Sequence, residues 1–287
     1  MSMAGVLGLF RVRPAEPVGE GGRMALGDHF RELRGRLMRS LLVLLVVTIV
    51  AFFFYHQLID LIVGPYNHAV ELLGGKKKAN SEIVLSGIAS GLMLQLKLCT
   101  TAGVVVSSPY WLYQIWAFIL PGLHDNERKW TRVFVGVAGP LFFLGVAVGY
   151  YIMPRGLQFL ISMNTPGGFR NLNDFDHFYT FIIRTLLVFG LSFEIPLFVV
   201  LLSLVGVVSG AALGRHRAWI IVGTFVFAAV ATPSTDPFSM TLLAVPMTIL
   251  FLISEVIARL IDRRRARTVD AWDDDQASPL PPTHDLR

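Results

Sequence analysis

The sequence predicts an all-α, polytopic membrane protein with six transmembrane helices and both termini in the cytoplasm. The first observation is composition: 54% of the 287 residues are apolar and only 16% are charged, with a mean hydropathy of +0.59. A soluble domain carries roughly a quarter charged residues. The second is that the apolar residues form long runs instead of repeating at helix or strand periodicity. The third is that Lys and Arg concentrate in alternate connections, as in membrane proteins.

The ends of the chain differ in composition from its middle. Residues 1–25 contain prolines and a Gly- and Glu-rich run, which predicts a disordered cytoplasmic arm. The basic residues of this arm follow its short apolar stretch, so it does not match a secretory signal peptide. Residues 26–262 form the predicted six-helix membrane domain. Residues 263–287 are predicted to be a disordered cytoplasmic tail, because the chain from Val269 onward is rich in Asp and Pro.

Six apolar segments are candidate transmembrane spans. A hydrocarbon core about 30 Å thick needs roughly 20 helical residues, so the fifth and sixth segments are expected to be short. The predicted spans are 40–56, a long segment within 91–120, 133–153, 178–205, 219–231 and 240–257. Prolines in or near these segments predict kinks, and the positions chosen are Pro65, Pro109, Pro121 and Pro196.

The orientation follows from the basic residues. The connections predicted to share a face with the termini hold most of the Lys and Arg, and the opposite face holds few, so the positive-inside rule places both termini in the cytoplasm. A cluster at Lys76–Lys78 opposes this trend. The net charge of +5 is explained by membrane topology, and no nucleic-acid partner is predicted.

Ionisable residues inside spans are expensive and therefore candidates for function. Lys97 and Arg184 lie in the second and fourth spans, where either a functional role or snorkelling to the interface fits the sequence. Glu194 lies near the middle of the fourth span. Its short side chain cannot reach the headgroups, so we expect it to be protonated, paired or hydrated, in a polar site or in a structural hydrogen bond to another helix.

Two further carboxylates lie next to spans. Glu32 belongs to a predicted interfacial amphipathic helix before the first span, and its simplest partner is Arg36 at i,i+4. Glu127 precedes Arg128 in a loop and is most simply a solvated carboxylate. Metalloprotease, Walker and dinucleotide-binding motifs are missing from the sequence. We therefore predict neither enzymatic activity nor a cofactor or metal site.

Several segments taken together resemble the TatC family, the multispanning receptor subunit of the twin-arginine protein translocase. The resemblance covers about residues 26–262, and the YQxWxFxxPxL pattern is its most specific part. The segments are HFRELRGRL at 29–37, SPYWLYQIWAFILPGL at 108–123, ERK at 127–129, FGLSFEIP at 189–196, TPSTDPFSM at 232–240 and AVPM at 244–247. The sequence departs from the family at Met240, which stands where the family usually has Gln.

The resemblance implies a receptor for signal peptides that carry two consecutive arginines. Such a receptor recruits small single-span subunits of the TatA and TatB types into a multi-copy complex in the bacterial cytoplasmic membrane. The complex exports folded proteins by using the proton-motive force, without a cofactor.

The resemblance also implies two sets of site residues. In the signal-binding set, the carboxylates hold guanidinium groups in bidentate fashion, and the aromatic and apolar residues pack around them. The signal-binding residues are Glu32, Glu127, Arg34, Phe118 and Leu123. A polar set within the membrane, which serves partner helices, consists of Glu194, Thr232, Asp236 and Lys97.

Two other classes of function remain open at this point. A proton- or ion-coupled secondary transporter would use Glu194, Lys97 and Asp236, although no symmetry between half-sequences is visible. A scaffold protein without transport would tolerate the loss of Glu32 and Glu127. A small-molecule flux assay and an export assay distinguish these classes.

Overall fold

The architecture is that of a helical membrane protein with one small pair of strands. The computed structural model describes residues 26–73, 81–84, 87, 89–119, 128–164, 171–232 and 237–270. The described helices are α1 (Leu26–Phe53), α2 (Tyr55–Leu73), α3 (Ser90–Val106), α4 (Ser108–Ile119), α5 (Arg128–Asn164), α6 (Phe175–Ser192), α7 (Ile195–Leu204), α8 (Gly210–Arg215), α9 (Arg217–Ala231) and α10 (Pro237–Asp270). The strands are β1 (Ser81–Val84) and β2 (Asn171–Asp174).

Length and composition identify the membrane-crossing helices among the described residues. Four stretches are long and apolar enough to span a bilayer, in α1, in α5, across α6 and α7, and in α10. The α3–α4 pair adds a fifth if its two parts, bent by 53°, form one span. This bend lies beside Pro109, as predicted. An all-α polytopic membrane protein is confirmed, whereas the six-span count and the cytoplasmic termini remain predictions.

Two predicted boundaries were wrong. The juxtamembrane segment is not a separate interfacial helix, because α1 runs without a break from Leu26 to Phe53. The sixth span is not short, because α10 has 34 residues and continues to Asp270, past the predicted start of the tail at residue 263. The basic residues after Ile257 do not follow the helix but form its last turns. Of the two predicted spans that were expected to be short, only the fifth is: its helix, α9, has 15 residues. The arm 1–25, the lysine cluster and residues 271–287 lie outside the described residues.

Like the short α8, helix α2 was not predicted. It follows a one-residue break at Phe54 and turns one apolar face, including Ile62, Tyr66 and Ala69, into the core. The helix continues through Pro65, which is buried. Tyr150 of α5 fixes the contact, because its hydroxyl donates to the carbonyl oxygen of Leu61 at 2.9 Å. The sequence pattern is amphipathic and too polar to be recognised as a span, so the predicted spans leave it out.

The strands lie at one end of the bundle, together with the starts of α3 and α6. β1 and β2 pair in parallel, with Ser81 opposite Asn171 and Val84 opposite Asp174. Near them, the hydroxyl of Tyr179 donates to the carbonyl oxygen of Lys97 at 2.8 Å. These contacts join the connection before α3 to the connection before α6.

The crossing of α5 and α6 depends on glycine. A Cβ atom at Gly145 would lie 2.6 Å from the carbonyl oxygen of Phe189 and 3.0 Å from the Cα of Gly190. A Cβ at Gly190 would lie 2.7 Å from the ring of Phe142. Small residues at a crossing let two membrane helices approach closely, where dispersion forces replace the hydrophobic effect. This crossing lies directly before the break between α6 and α7.

Candidate functional site

Near the beginning of α1, three polar side chains join it to α4. Arg36 donates to Oε1 of Glu32 from Nε at 2.9 Å and from Nη2 at 2.5 Å. Its Nη1 donates to Oε1 of Gln114 at 3.2 Å. The predicted i,i+4 pair is therefore confirmed, and Gln114 is a partner that sequence reasoning missed. Both bonds from Arg36 reach the same oxygen of Glu32, which leaves Oε2 outside this pair.

The structure describes only some of the other residues that were assigned to signal binding. Phe118 is half-buried on α4 and lies one turn after Gln114, on the same helix face. Arg34 is exposed on α1. Glu127, Leu123 and Pro121 lie outside the described residues. The structure thus brings Glu32 and α4 together and does not describe the second carboxylate.

Glu194 occupies the break between α6 and α7. The turn at Phe193 and Glu194 separates the two helices, and α7 restarts with Pro196 in its first turn. Only 9% of Glu194 is exposed. The indole nitrogen of Trp116 donates to its Oε2 at 3.3 Å, while Oε1 has no hydrogen-bond partner among the described residues. A buried polar atom left without a partner is costly and calls for an explanation.

The remaining polar residues assigned to the membrane lie in two places. Lys97 pairs with Asp176 at 2.5 Å, near the strands, and both side chains are exposed. Thr232 ends α9, is buried, and donates to the carbonyl oxygen of Ala228 at 2.9 Å. It lines a small, open, mainly apolar recess with residues of α5, α6 and α10. Asp236 lies outside the described residues.

A second buried carboxylate, Glu255 of α10, was missed. Its side chain is 2% exposed and binds Arg217 and Arg259, both of which are half-exposed. The sequence contained an indication of it, since Glu255 is an ionisable residue inside the sixth predicted span. Its partner Arg217 is 38 positions away, so the pair is not visible as a sequence motif. Among the described residues, no group of three or more His, Cys, Asp or Glu could hold a metal ion.

Comparison with known proteins places this arrangement in a family. The model of the family described as "Sec-independent protein translocase protein (TatC)" matches residues 28–246. The TatC protein of Frankia casuarinae is 40% identical over 273 residues, which cover 91% of this chain and 74% of that protein. The TatC protein of Deinococcus radiodurans is 34% identical over 250 residues, covering 87% of this chain and 90% of that protein.

A solved structure agrees with this similarity. A crystal structure of the twin-arginine translocase receptor TatC superposes with a TM-score of 0.66 at 27% identity. The match covers 82% of this chain and the whole of that one. The family is a non-enzymatic one of protein translocase subunits that work within a complex. These matches decide against the small-molecule transporter and the scaffold. The chain belongs to the TatC family and is a multi-pass subunit of the twin-arginine protein translocase in the bacterial cytoplasmic membrane.

Proposed function

We propose that this subunit binds signal peptides with two consecutive arginines at its cytoplasmic face, and that Glu32 accepts one of the guanidinium groups. The observation that carries the proposal is the geometry of Glu32 with Arg36. Arg36 places two N–H groups on Oε1 of Glu32, so the carboxylate already accepts hydrogen bonds from one guanidinium. Oε2 is then the acceptor for an arginine of the signal.

The surroundings of Glu32 support more than an ordinary surface ion pair. The side chain of Glu32 is 25% exposed and that of Arg36 19% exposed, so water screens them only in part. Hydrogen bonds to charged groups in such places contribute about 1.5–3 kcal/mol, against about 0–1 kcal/mol for an exposed pair. Gln114 holds Arg36 from α4, which fixes the direction of the carboxylate before the signal arrives.

The rest of the proposed signal site comes from the segment after α4. Glu127 takes the second guanidinium group, while Phe118 and Leu123 pack against the residues around the two arginines. Arg34 adds positive charge beside the site and weakens the binding of peptides that are merely cationic. The half-buried position of Phe118, one turn beyond Gln114, supports this arrangement.

A second stage is proposed within the membrane. Single-span subunits of the TatA and TatB types bind near Glu194, Thr232 and Asp236 after the signal is bound, and several copies assemble to pass folded cargo by using the proton-motive force. The unpartnered oxygen of Glu194 and the recess beside Thr232 support this stage. Lys97 belongs with Asp176 instead, and we do not assign it to partner binding. The proposed topology has six spans and cytoplasmic termini.

Export of a folded reporter tests the proposal. In a strain in which this chain is the only TatC protein, a reporter with an Arg-Arg signal should be exported, and Glu32→Gln should reduce both export and crosslinking of the signal. A Lys-Lys signal should bind less well than Arg-Arg, because lysine lacks the planar fork. Glu71→Gln, at an exposed carboxylate of α2, is the matched control. Wild-type export and crosslinking in Glu32→Gln would refute the role of Glu32.

A further inference from the structure

The short helix α9 is weakly held by apolar packing. Of its 15 residues, Ala228 is the only one that is buried. Trp219 and Val230, near its two ends, are 77% and 83% exposed. In a bilayer the exposed apolar side chains meet lipid, which is as apolar as they are, so the hydrophobic effect does not drive α9 onto its neighbours.

The strongest specific contact of α9 is an ion pair at its first residue. Arg217 donates from Nε to Oε2 of Glu255 at 2.9 Å and from Nη2 to Oε1 at 2.7 Å. Arg259, one turn further along α10, reaches the same Oε1 at 2.6 Å. The two carboxylate oxygens thus accept two N–H groups of Arg217, and one of them also forms an ion pair with Arg259. A bidentate pair has a fixed geometry, which a single contact lacks.

The backbone directly before α9 packs closely against α10. A Cβ atom at Gly210 would lie 2.5 Å from the backbone nitrogen of Arg259, and one at Gly214 would lie 3.0 Å from Oε1 of Glu255. The backbone nitrogen of Gly210 also donates to Asp262 at 2.7 Å. The connection α8 is therefore pressed against α10, and Arg217 follows it directly.

We infer that Glu255 is a positioning residue, which fixes the depth of α9 in the membrane by holding Arg217. At about 1.5 Å per residue α9 is roughly 22 Å long, against a hydrocarbon core of about 30 Å. The apolar side chains of α9 therefore stay within the hydrocarbon over a range of depths of several ångströms. The ion pair removes this freedom at one end of α9, and the shortfall then lies at the other end, where Thr232 lines the recess. This inference rests on the proposed function, because it assigns the recess to the partner-binding stage.

Spin labels on α9 and α10 test the inference in liposomes of phosphatidylethanolamine and phosphatidylglycerol. A label at Val230→Cys reports the depth of α9 through collisions with oxygen and a nickel chelate, and a label at Val245→Cys, which is 45% exposed, reports that of α10. Cys99 is buried, and the protein without an added cysteine gives the background. In Glu255→Gln the depth of the Val230 label should change by ~5 Å, one helical turn, or become heterogeneous. The depth of the Val245 label should not change.

The controls separate positioning from general loss of structure. Asp176→Asn breaks the Lys97–Asp176 pair elsewhere in the bundle and should leave both labels in place. Arg217→Gln should displace the Val230 label as Glu255→Gln does. The variant that combines Arg217→Gln with Glu255→Gln should export no less than the worse of the two single variants, because both changes remove the same Arg217–Glu255 interaction. A Val230 label that keeps its depth in Glu255→Gln, or that moves equally in Asp176→Asn, overturns the inference.

Export assays of the same variants keep the two proposals apart. If the wild-type chain does not export an Arg-Arg reporter, the proposed function fails, whatever the labels show. If the wild type exports the reporter and Glu255→Gln lowers export several-fold while signal crosslinking persists, the positioning role is supported. If Glu255→Gln displaces α9 and export is unchanged, the link between the depth of α9 and partner binding is wrong.

Discussion

Glu194 and Glu255 are two carboxylates buried in the membrane helices, and their surroundings differ sharply. Each oxygen of Glu255 accepts an N–H group of Arg217, and Arg259 forms a further ion pair with Oε1. Glu194 accepts one N–H group from Trp116 at 3.3 Å, and its second oxygen has no partner among the described residues. Both oxygens of Glu255 are bound within the chain, whereas one oxygen of Glu194 can still bind another group.

The difference follows from where the two residues lie. Glu255 is near the end of a span, where arginines reach both it and water, so a charged cluster is tolerated there. Glu194 lies at a helix break in mid-span, beside the tight α5–α6 crossing. A full set of partners there would have to be buried too, which is costly. Structural ion pairing therefore suits the first site, and a site for a transient partner suits the second.

The largest expected effect comes from removing both partners of Glu255. The double variant Arg217→Gln, Arg259→Gln leaves the Glu255 carboxylate without a counter-charge and should lower the free energy of unfolding by more than the loss of any single exposed ion pair. Titration with denaturing detergent in mixed micelles measures this loss. Lys97→Gln, which breaks an exposed pair, should cost about 0–1 kcal/mol. Equal losses in the two variants would mean that Glu255 is not a buried structural anchor.

An intermediate effect is expected at the crossing that flanks Glu194. Gly190→Ala places a methyl group against the ring of Phe142 and should cost about 1–3 kcal/mol, because the packed helices have to shift. Gly223→Ala, on α9 and with no heavy atom within 4 Å of the added Cβ, is the matched control and should be neutral or slightly stabilising. If both glycines tolerate alanine, the α5–α6 crossing is looser than described.

The smallest effect on stability is expected at Glu194 itself. Glu194→Gln keeps an oxygen that can accept from Trp116, so the free energy of unfolding should change by less than about 1 kcal/mol. Export should nevertheless fall, while signal crosslinking stays near the original level, because Glu194 is proposed to act after signal binding. Trp116→Phe removes the donor and should cost about 1 kcal/mol. Signal crosslinking that falls as far as export would contradict the partner-binding role of Glu194.

The sequence was sufficient for the membrane class, the bend at Pro109 and the Glu32–Arg36 pair, because each depends on residues close together in the chain. Hydropathy identifies a span without knowledge of its neighbours, and an i,i+4 pair is set by the helix alone. The end of α10 was misplaced because arginines that continue a helix and arginines that follow it have the same composition.

The polar contacts between helices were not predictable in the same way. Gln114 is 78 positions from Arg36, and Trp116 is 78 positions from Glu194. Such pairs depend on the packing of the bundle, which hydropathy does not encode. The amphipathic helix α2 was missed for a related reason, since its buried face is defined by its contacts with α3, α5 and α6.

The central claim is that the Glu32 carboxylate binds an arginine of the signal peptide. A double-mutant cycle that combines Glu32→Gln with replacement of one signal arginine by glutamine measures their coupling energy directly. Binding of the signal peptide to the purified subunit should show a coupling of about 1.5–3 kcal/mol for one of the two arginines. A coupling of zero for both arginines would leave Glu32 as a structural partner of Arg36 alone and contradict the account.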